Sequence, residues 1–188
     1  MQNQPHKCSH KSSIESANRM RTVKLLDVKE ENCTTKTLTF QDQICKIANP
    51  GQFLMVWIPG VDEIPISLSG ISSDGVTSIT VNAVGDASSA LNQKKKGDII
   101  GIRGPFGKGF VPIKGNLMVI GGGTGLGPMM PLTEKLVETA SKITVMSGVK
   151  CQDNLLFLDR IDELLCNVKS ETICTTEDGS YGVEGLVT

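Results

Sequence analysis

The stretch Val119-Ile120-Gly121-Gly122-Gly123-Thr124-Gly125-Leu126-Gly127-Pro128 carries an apolar strand into a glycine-rich turn and on to a proline suited to a first helical turn. Glycines, lacking β-carbons, let an anionic group approach backbone N–H groups at the positive end of a helix. The spacing is not that of the G-x-G-x-x-G fingerprint in its usual place, and no acidic residue about 20 positions on is placed to read a ribose. Two uses of the turn stay open: holding the diphosphate of a nucleotide, or turning the chain with no ligand.

Beyond the turn, strand and helix alternate. Asn116–Ile120, Ile143–Ser147 and Glu171–Thr175 have the pattern of strands, and Pro128–Ala140 and Asn154–Leu165 that of helices. This is the grammar of a parallel sheet covered on both faces. Three strands are few for a doubly wound sheet, and Gly185-Leu186-Val187-Thr188 looks like the approach to another helix. The expected unit is therefore a partial, C-terminally incomplete one.

Before the turn, short β-branched or alternating runs are separated by turn residues: Arg21–Val28, Thr34–Phe40, Gln52–Ile58, Ile64–Leu68, Thr77–Val84 and Ile99–Arg103. Such spacing predicts a small antiparallel barrel, with one helix over Ser88–Lys96. The expected fold class is β + α/β: a loose tail over 1–20, a β-barrel domain over 21–113 and an α/β domain over 114–188.

Composition permits this. The chain has 188 residues, 39% of them hydrophobic, enough for two small cores. Its 19 basic and 20 acidic residues give a net charge of −1, without the basic excess that nucleic acid requires, so no nucleic-acid partner is expected. Six cysteines at positions 8, 33, 45, 151, 166 and 174 form no C-x-x-C pair, which argues against a disulfide framework and against a four-thiolate metal site. They are expected to be reduced and mostly buried, with Cys151, Cys166 and Cys174 in the core. No apolar run is long enough to span a bilayer and no secretory h-region is present, so a cytoplasmic location without membrane contact is expected. His6, Cys8 and His10 could ligate a metal or be incidental to the tail, and no metal site is assigned. Lys94-Lys95-Lys96 suits a solvated helix end, and Met118, Met129 and Met130 suit core filling.

Three further segments carry chemistry. Pro65-Ile66-Ser67-Leu68-Ser69 sets small hydroxyls among apolar residues, as a strand alone or as one lying along a flat cofactor. Val84-Gly85-Asp86-Ala87-Ser88-Ser89 places glycine and serines where a strand gives way to a helix, an N-cap with or without an anion. Gly104-Pro105-Phe106-Gly107-Lys108-Gly109-Phe110 forms a tight loop whose two phenylalanines are expected to pack between the domains.

In this order the four segments resemble the ferredoxin reductase superfamily, in which a flavin-binding barrel with an R-x-Y-S-type strand and a G-x-x-S/T helix cap precedes an NAD(P)-binding α/β domain. Gly104–Phe110 is similar to the G-P-L-G-x-G-F loop, and Thr176–Gly182 to the T-D-D-G-S-Y-G segment, of dihydroorotate dehydrogenase B electron transfer subunits. The likeness runs from about Arg21 to the last residue. It implies FAD and NAD(P) as cofactors. Pro65, Ile66, Ser67 and Leu68 would line the flavin ring, with Ser67 assigned the catalytic part of tuning it. Gly85, Ser88 and Ser89 would receive the flavin diphosphate, and Asn82 and Val84 its adenylate side. Gly122, Gly123, Thr124 and Gly125 would meet the nicotinamide nucleotide, with Ser147, Gly148, Glu177 and Asp178 at the next two strand ends.

Two departures stand out. The motif arginine is Ile64 and its aromatic is Ile66, so a charge-assisted contact to the diphosphate is missing unless Arg103, Lys94 or the helix end replaces it. The family's [2Fe-2S] cluster needs four closely spaced thiolates, and this chain has no such set. The resemblance implies electron transfer through FAD to NAD+, with an FMN-containing dihydroorotate dehydrogenase catalytic subunit as partner in pyrimidine biosynthesis. The alternatives are a reductase subunit of another ferredoxin/NAD(P) system and a non-catalytic nucleotide-binding module.

Overall fold

The computed structural model describes residues 16–188. His6, Cys8 and His10 lie outside the described residues, as does the tail expectation up to residue 15. Residues 16–18 form a helical turn, and Asn18 Oδ1 accepts a hydrogen bond from Arg103 Nη1 at 2.8 Å.

Six antiparallel strands close a barrel in the order β1-β2-β5-β4-β3-β6. They are β1 (Arg21–Glu30), β2 (Thr35–Gln41), β3 (Phe53–Ile58), β4 (Asp62–Ile71), β5 (Val76–Asn82) and β6 (Ile99–Phe106). Alternate side chains point inward, so Leu25, Leu38, Phe40, Leu54, Val56, Ile58, Leu68, Ile79, Ile100 and Ile102 fill a dry interior. Helix α1 (Asp86–Asn92) caps one end. Its Leu91 joins the core, and Asn92 Nδ2 donates to the Thr34 carbonyl at 2.9 Å. This helix is shorter than the sequence predicts, because the three lysines lie beyond its end.

The second half is a sheet in the order β10-β9-β8-β7. Strands β7 (Gly115–Gly122), β8 (Ala140–Val149), β9 (Ser170–Thr176) and the short β10 (Val183–Glu184) are parallel. Helices α2 (Met130–Leu136) and α3 (Leu158–Leu165) are the crossovers. Two right-handed crossovers stepping in one direction put both helices on one face. There Val119, Ile143 and Val145 pack with Leu126, Met130, Leu136, Ile161 and Leu165. The expected β + α/β class is the one observed, and among the described residues both crossover helices lie on one face of the partial sheet, with Met118 61% and Ile120 44% exposed on the other face of β7, an edge strand. Met118 is not core filler, whereas Met130 is buried and Met129 packs against the core.

Other expectations also change. Helix α3 begins at 158 rather than 154, because Phe157 adopts a left-handed conformation with φ of 63° that turns the chain into the helix. Among the described cysteines, Cys45 and Cys174 are buried but Cys33 and Cys166 are exposed, so the thiols are not mostly buried and Cys166 is not a core residue. Burial, together with the neighbouring Asp42 charge, pushes the Cys45 thiol up to about 12. The two phenylalanines of the 104–110 loop pack on the barrel rather than between the halves. Phe106 meets Phe53 at 5.9 Å between ring centroids, and Phe110 covers Gly51, where a β-carbon would stand 2.6 Å from its ring.

Arg21 and Asp42 pin the barrel's seam. Arg21 Nε and Nη2 donate to the two Asp42 oxygens at 2.8 and 3.2 Å, and the amides of Ile44 and Cys45 donate to Oδ1. Burial raises the Asp42 pKa, but these hydrogen bonds and the Arg21 charge outweigh it and hold the carboxyl below its usual value. A depressed folded pKa contributes stability that is complete above the unfolded value, about 3.9, and is lost as pH falls through the folded one. Asp42→Asn is expected to cost about 3 kcal/mol at neutral pH and to flatten the acid limb below pH ~4, as read by urea unfolding across pH.

Candidate functional site

The glycine turn leaves β7 as a 3-10 segment, Gly123–Met129, and α2 starts only at Met130, so the helix expected over 128–140 spans 130–136. Each glycine answers a different demand. A β-carbon at Gly121 would stand 2.6 Å from Leu126 Cα, so this glycine permits the strand to touch the turn. Gly123 has φ of +50°, and β-carbons at Gly123 or Gly125 would meet nothing within 4 Å, since both face open space. At Gly127 a β-carbon would stand 3.5 Å from Ser69 Cβ and 3.8 Å from Thr80 Cβ, so the turn lies directly on the barrel.

Three grooves converge here, and Thr124 lines all of them. The first, about 540 Å³, runs between the halves. Asn32, Thr34, Asn82 and Val84 face Gly122, Gly123, Gly148, Lys150 and Glu177 across it. The second, about 620 Å³, follows the barrel past Asp62, Ile64, Ile66, Thr80, Asn82, Gly85, Asp86 and Ser88. The third, about 260 Å³, sets Pro65, Ile66, Ser67 and Ser69 against Gly125, Gly127 and Pro128. The glycine turn and the serine-bearing strand thus open onto a common crevice.

Not every expected residue reaches it. Leu68 is fully buried in the barrel core. Ser147 is 1% exposed at the end of β8, and Ser89 lines none of the three grooves. Asp178 Oδ1 accepts from the Ser180 amide at 3.0 Å and hydroxyl at 2.6 Å, which hold its carboxyl below the usual range and commit it to shaping its own loop. Ser88 does line the second groove, but its Oγ accepts from the amides of Val84 and Gly85 at 3.0 and 2.9 Å and so caps its own helix. Sequence reasoning missed Asn32, Thr34, Thr80, Lys150, Asn154 and Ser69 as lining residues. They arrive from distant elements, and only Ser69 stood inside one of the segments read as carrying chemistry.

The charges are uneven. Lys150 and Glu177 line the first groove, whereas Asp62 and Asp86 are the charged residues of the second. Arg103 does not replace the missing motif arginine. Its Nε and Nη2 donate to Glu63 at 2.8 and 2.6 Å, hydrogen bonds that hold the Glu63 carboxyl below its usual range. A dinucleotide fits the turn, because bare backbone at Gly123 and Gly125 opens onto the crevice. A flat ring fits the third groove, and the buried Asn82 Oδ1, which has no hydrogen-bond partner, offers an acceptor between the first two. The Gly85 end of the barrel groove suits a diphosphate less well, since its backbone faces open space but carboxylates rather than cations flank it.

Two glycines separate packing from binding. Gly121→Ala drives a methyl into backbone and is expected to cost about 1–3 kcal/mol. Gly125→Ala should leave stability within about 0.5 kcal/mol, while its methyl would hold a dinucleotide diphosphate off the turn's backbone N–H groups and weaken such binding about tenfold, the loss of one charge-assisted hydrogen bond. Thermal melts and a fluorescence titration of each variant read the two effects.

No protein-family model matches the chain. It is 39% identical over 157 residues to a probable dihydroorotate dehydrogenase B (NAD(+)) electron transfer subunit of Archaeoglobus fulgidus, covering 84% of this chain and 62% of the relative. It is 36% identical to the corresponding probable subunit of Methanocella arvoryzae, covering 86% and 59%. The chain therefore spans about three fifths of the length of these curated relatives. Among solved structures, the NADH-dependent reduced ferredoxin-NADP oxidoreductase superposes with a TM-score of 0.76 at 25% identity, covering 87% of this chain and 59% of that one. A ferredoxin NADP+ reductase from Neisseria gonorrhoeae, solved with bound FAD and NADP, gives 0.74 at 18% identity, covering 88% and 72%, a likeness of fold. By sequence this chain is a relative of the electron transfer subunits of dihydroorotate dehydrogenase B, and its barrel-plus-parallel-sheet architecture is that of the ferredoxin-NADP reductase superfamily.

Proposed function

We propose that this chain is the FAD- and NAD-binding part of an electron transfer subunit that delivers electrons to NAD+ from an FMN-containing dihydroorotate dehydrogenase catalytic subunit. The supporting observation is the third groove, lined by Ser67 of β4 on one side and Gly125 of the turn on the other, with Thr124 linking it to the first groove. The names of the relatives support the dihydroorotate partner and the choice of NAD. When bound beside Pro65, Ile66 and Ser67, a flavin would supply two-electron hydride chemistry towards a nicotinamide held at Gly122 to Gly125.

The chain's own residues bind, orient and exclude water. Pro65 and Ile66 offer an apolar platform for the ring, and the Ser67 hydroxyl a hydrogen bond at its edge. Gly122 to Gly125 present backbone to the nucleotide diphosphate, and Lys150 brings positive charge to the same cleft. Asn82, Val84 and Gly85 receive the rest of the flavin nucleotide along the barrel. No general acid or base is required, which matches a groove lined by hydroxyls and apolar groups. Among the described residues no cluster of three or more His, Cys, Asp or Glu is gathered for a metal, and no iron-sulfur ligand is assigned to this chain.

Anaerobic mixing of the chain with FAD and NADH tests this through the reverse transfer. Bleaching near ~450 nm, the flavin band, is expected. Binding of both nucleotides without bleaching would make the chain a non-catalytic nucleotide module, and bleaching without response to the dihydroorotate-oxidising partner would make it a reductase subunit of another system. Because Asp62 and Asp86 flank the diphosphate end, Ile64→Arg should lower the FAD dissociation constant about tenfold and make it salt-dependent, as followed by flavin fluorescence.

A further inference from the structure

Strand β4 carries one residue more than its partner between Leu68 and Gly70. Leu68 stands opposite Ile79 and Gly70 opposite Ser78, so no residue of β5 faces Ser69. This is a β-bulge, and bulges re-aim the groups they carry. The Ser69 carbonyl accepts from Arg160 Nη1 of α3 at 2.9 Å, while Arg160 Nη2 donates to Glu134 Oε1 of α2 at 2.6 Å. One planar guanidinium therefore ties both helices of the α/β half to the barrel strand that bears Ser67. The side chain of the same bulge residue is fixed as well. Ser69 Oγ accepts from Thr80 Oγ1 at 2.8 Å, and Thr80 in turn pairs with Thr37 at 2.9 Å.

We infer that Arg160 is a positioning residue that sets the width of the groove between β4 and the glycine turn, and with it the approach of the nicotinamide to the flavin. The inference rests on the proposed flavin and nucleotide sites. Arg160 lines none of the three cofactor grooves. It borders a separate hollow on the far side of the bulge with Gly70, Ser72, Ser73, Ser78 and Glu134, so it acts through Ser69 and not by touching a ligand. Its fork matters as well as its charge, because two acceptors on different elements must be held at once.

The test uses the 188-residue chain and Arg160→Met. Flavin and NADH dissociation constants should stay within about twofold, while bleaching of bound FAD by saturating NADH slows about tenfold or more, as expected when reacting groups are misplaced by a fraction of an ångström to an ångström. Arg160→Lys, which keeps the charge but reaches only one acceptor, should also be slowed; it carries the test if Arg160→Met does not fold. Wild-type bleaching by the folded variants overturns the inference. If the wild-type chain does not bleach at all, the redox assignment fails, and amide hydrogen exchange judges the latch separately. Faster exchange of the amides over 67–71 and 125–130 in the variant supports the latch, and unchanged exchange overturns it.

Discussion

Burial of a line of hydroxyls on the outside of the barrel decides how the two halves meet. Thr37, Thr80 and Ser69 belong to three adjacent strands, β2, β5 and β4, and each is at most 9% exposed although it points away from the barrel core. A buried hydroxyl is costly unless hydrogen-bonded. Here each bonds its neighbour, so the face is polar in composition yet internally satisfied. That allows the backbone at Gly127, where even a β-carbon would make only ordinary contact, to lie against Ser69 and Thr80, and brings the glycine turn beside Ser67. The crevice follows from this contact.

Three of the four guanidinium groups are committed elsewhere, and the fourth, Arg19, lines none of the three grooves. Arg21 serves Asp42, Arg103 serves Glu63 and Arg160 serves Glu134 and the Ser69 carbonyl. What remains for anions in the crevice is backbone N–H, hydroxyl and the Lys150 ammonium. The turn side therefore suits a diphosphate better than the barrel side, where Asp62 and Asp86 stand. On the proposed reading, a chain without the motif arginine would hold its phosphates by geometry more than by charge, and backbone donors would keep that geometry only while the halves stay docked.

Much of the architecture was legible because local patterns matched it. The six barrel strands and three of the four parallel ones were anticipated from alternation and turn residues, as was the glycine turn. The misses have identifiable physical causes. Strand β10 is two residues long and exists only by pairing with β9, so no periodicity could announce it. The late start of α3 depends on a buried phenylalanine taking a conformation usually left to glycine. At the site, Pro65, Ile66, Ser67, Gly85 and Gly122 to Gly125 were legible as motifs, but Thr80, Lys150 and Arg160 were not. Their roles arise from contacts between residues far apart in sequence, such as Arg160 and Ser69, 91 positions apart. Asp178 shows what a strand-end carboxylate does not reveal in sequence: its Oδ1 is engaged by Ser180 of its own loop.

The outer face of β7, exposed among the described residues, has a consequence for how copies of the chain meet. An edge strand offers unpaired N–H and C=O groups to any passing strand, and Met118 and Ile120 add oily surface to the same edge. With a net charge of only −1 there is little long-range repulsion to keep copies apart. Among the described residues this strand is therefore one place where copies can pair as the sample is concentrated, beside other exposed apolar side chains such as Val84, Val111 and Ile113.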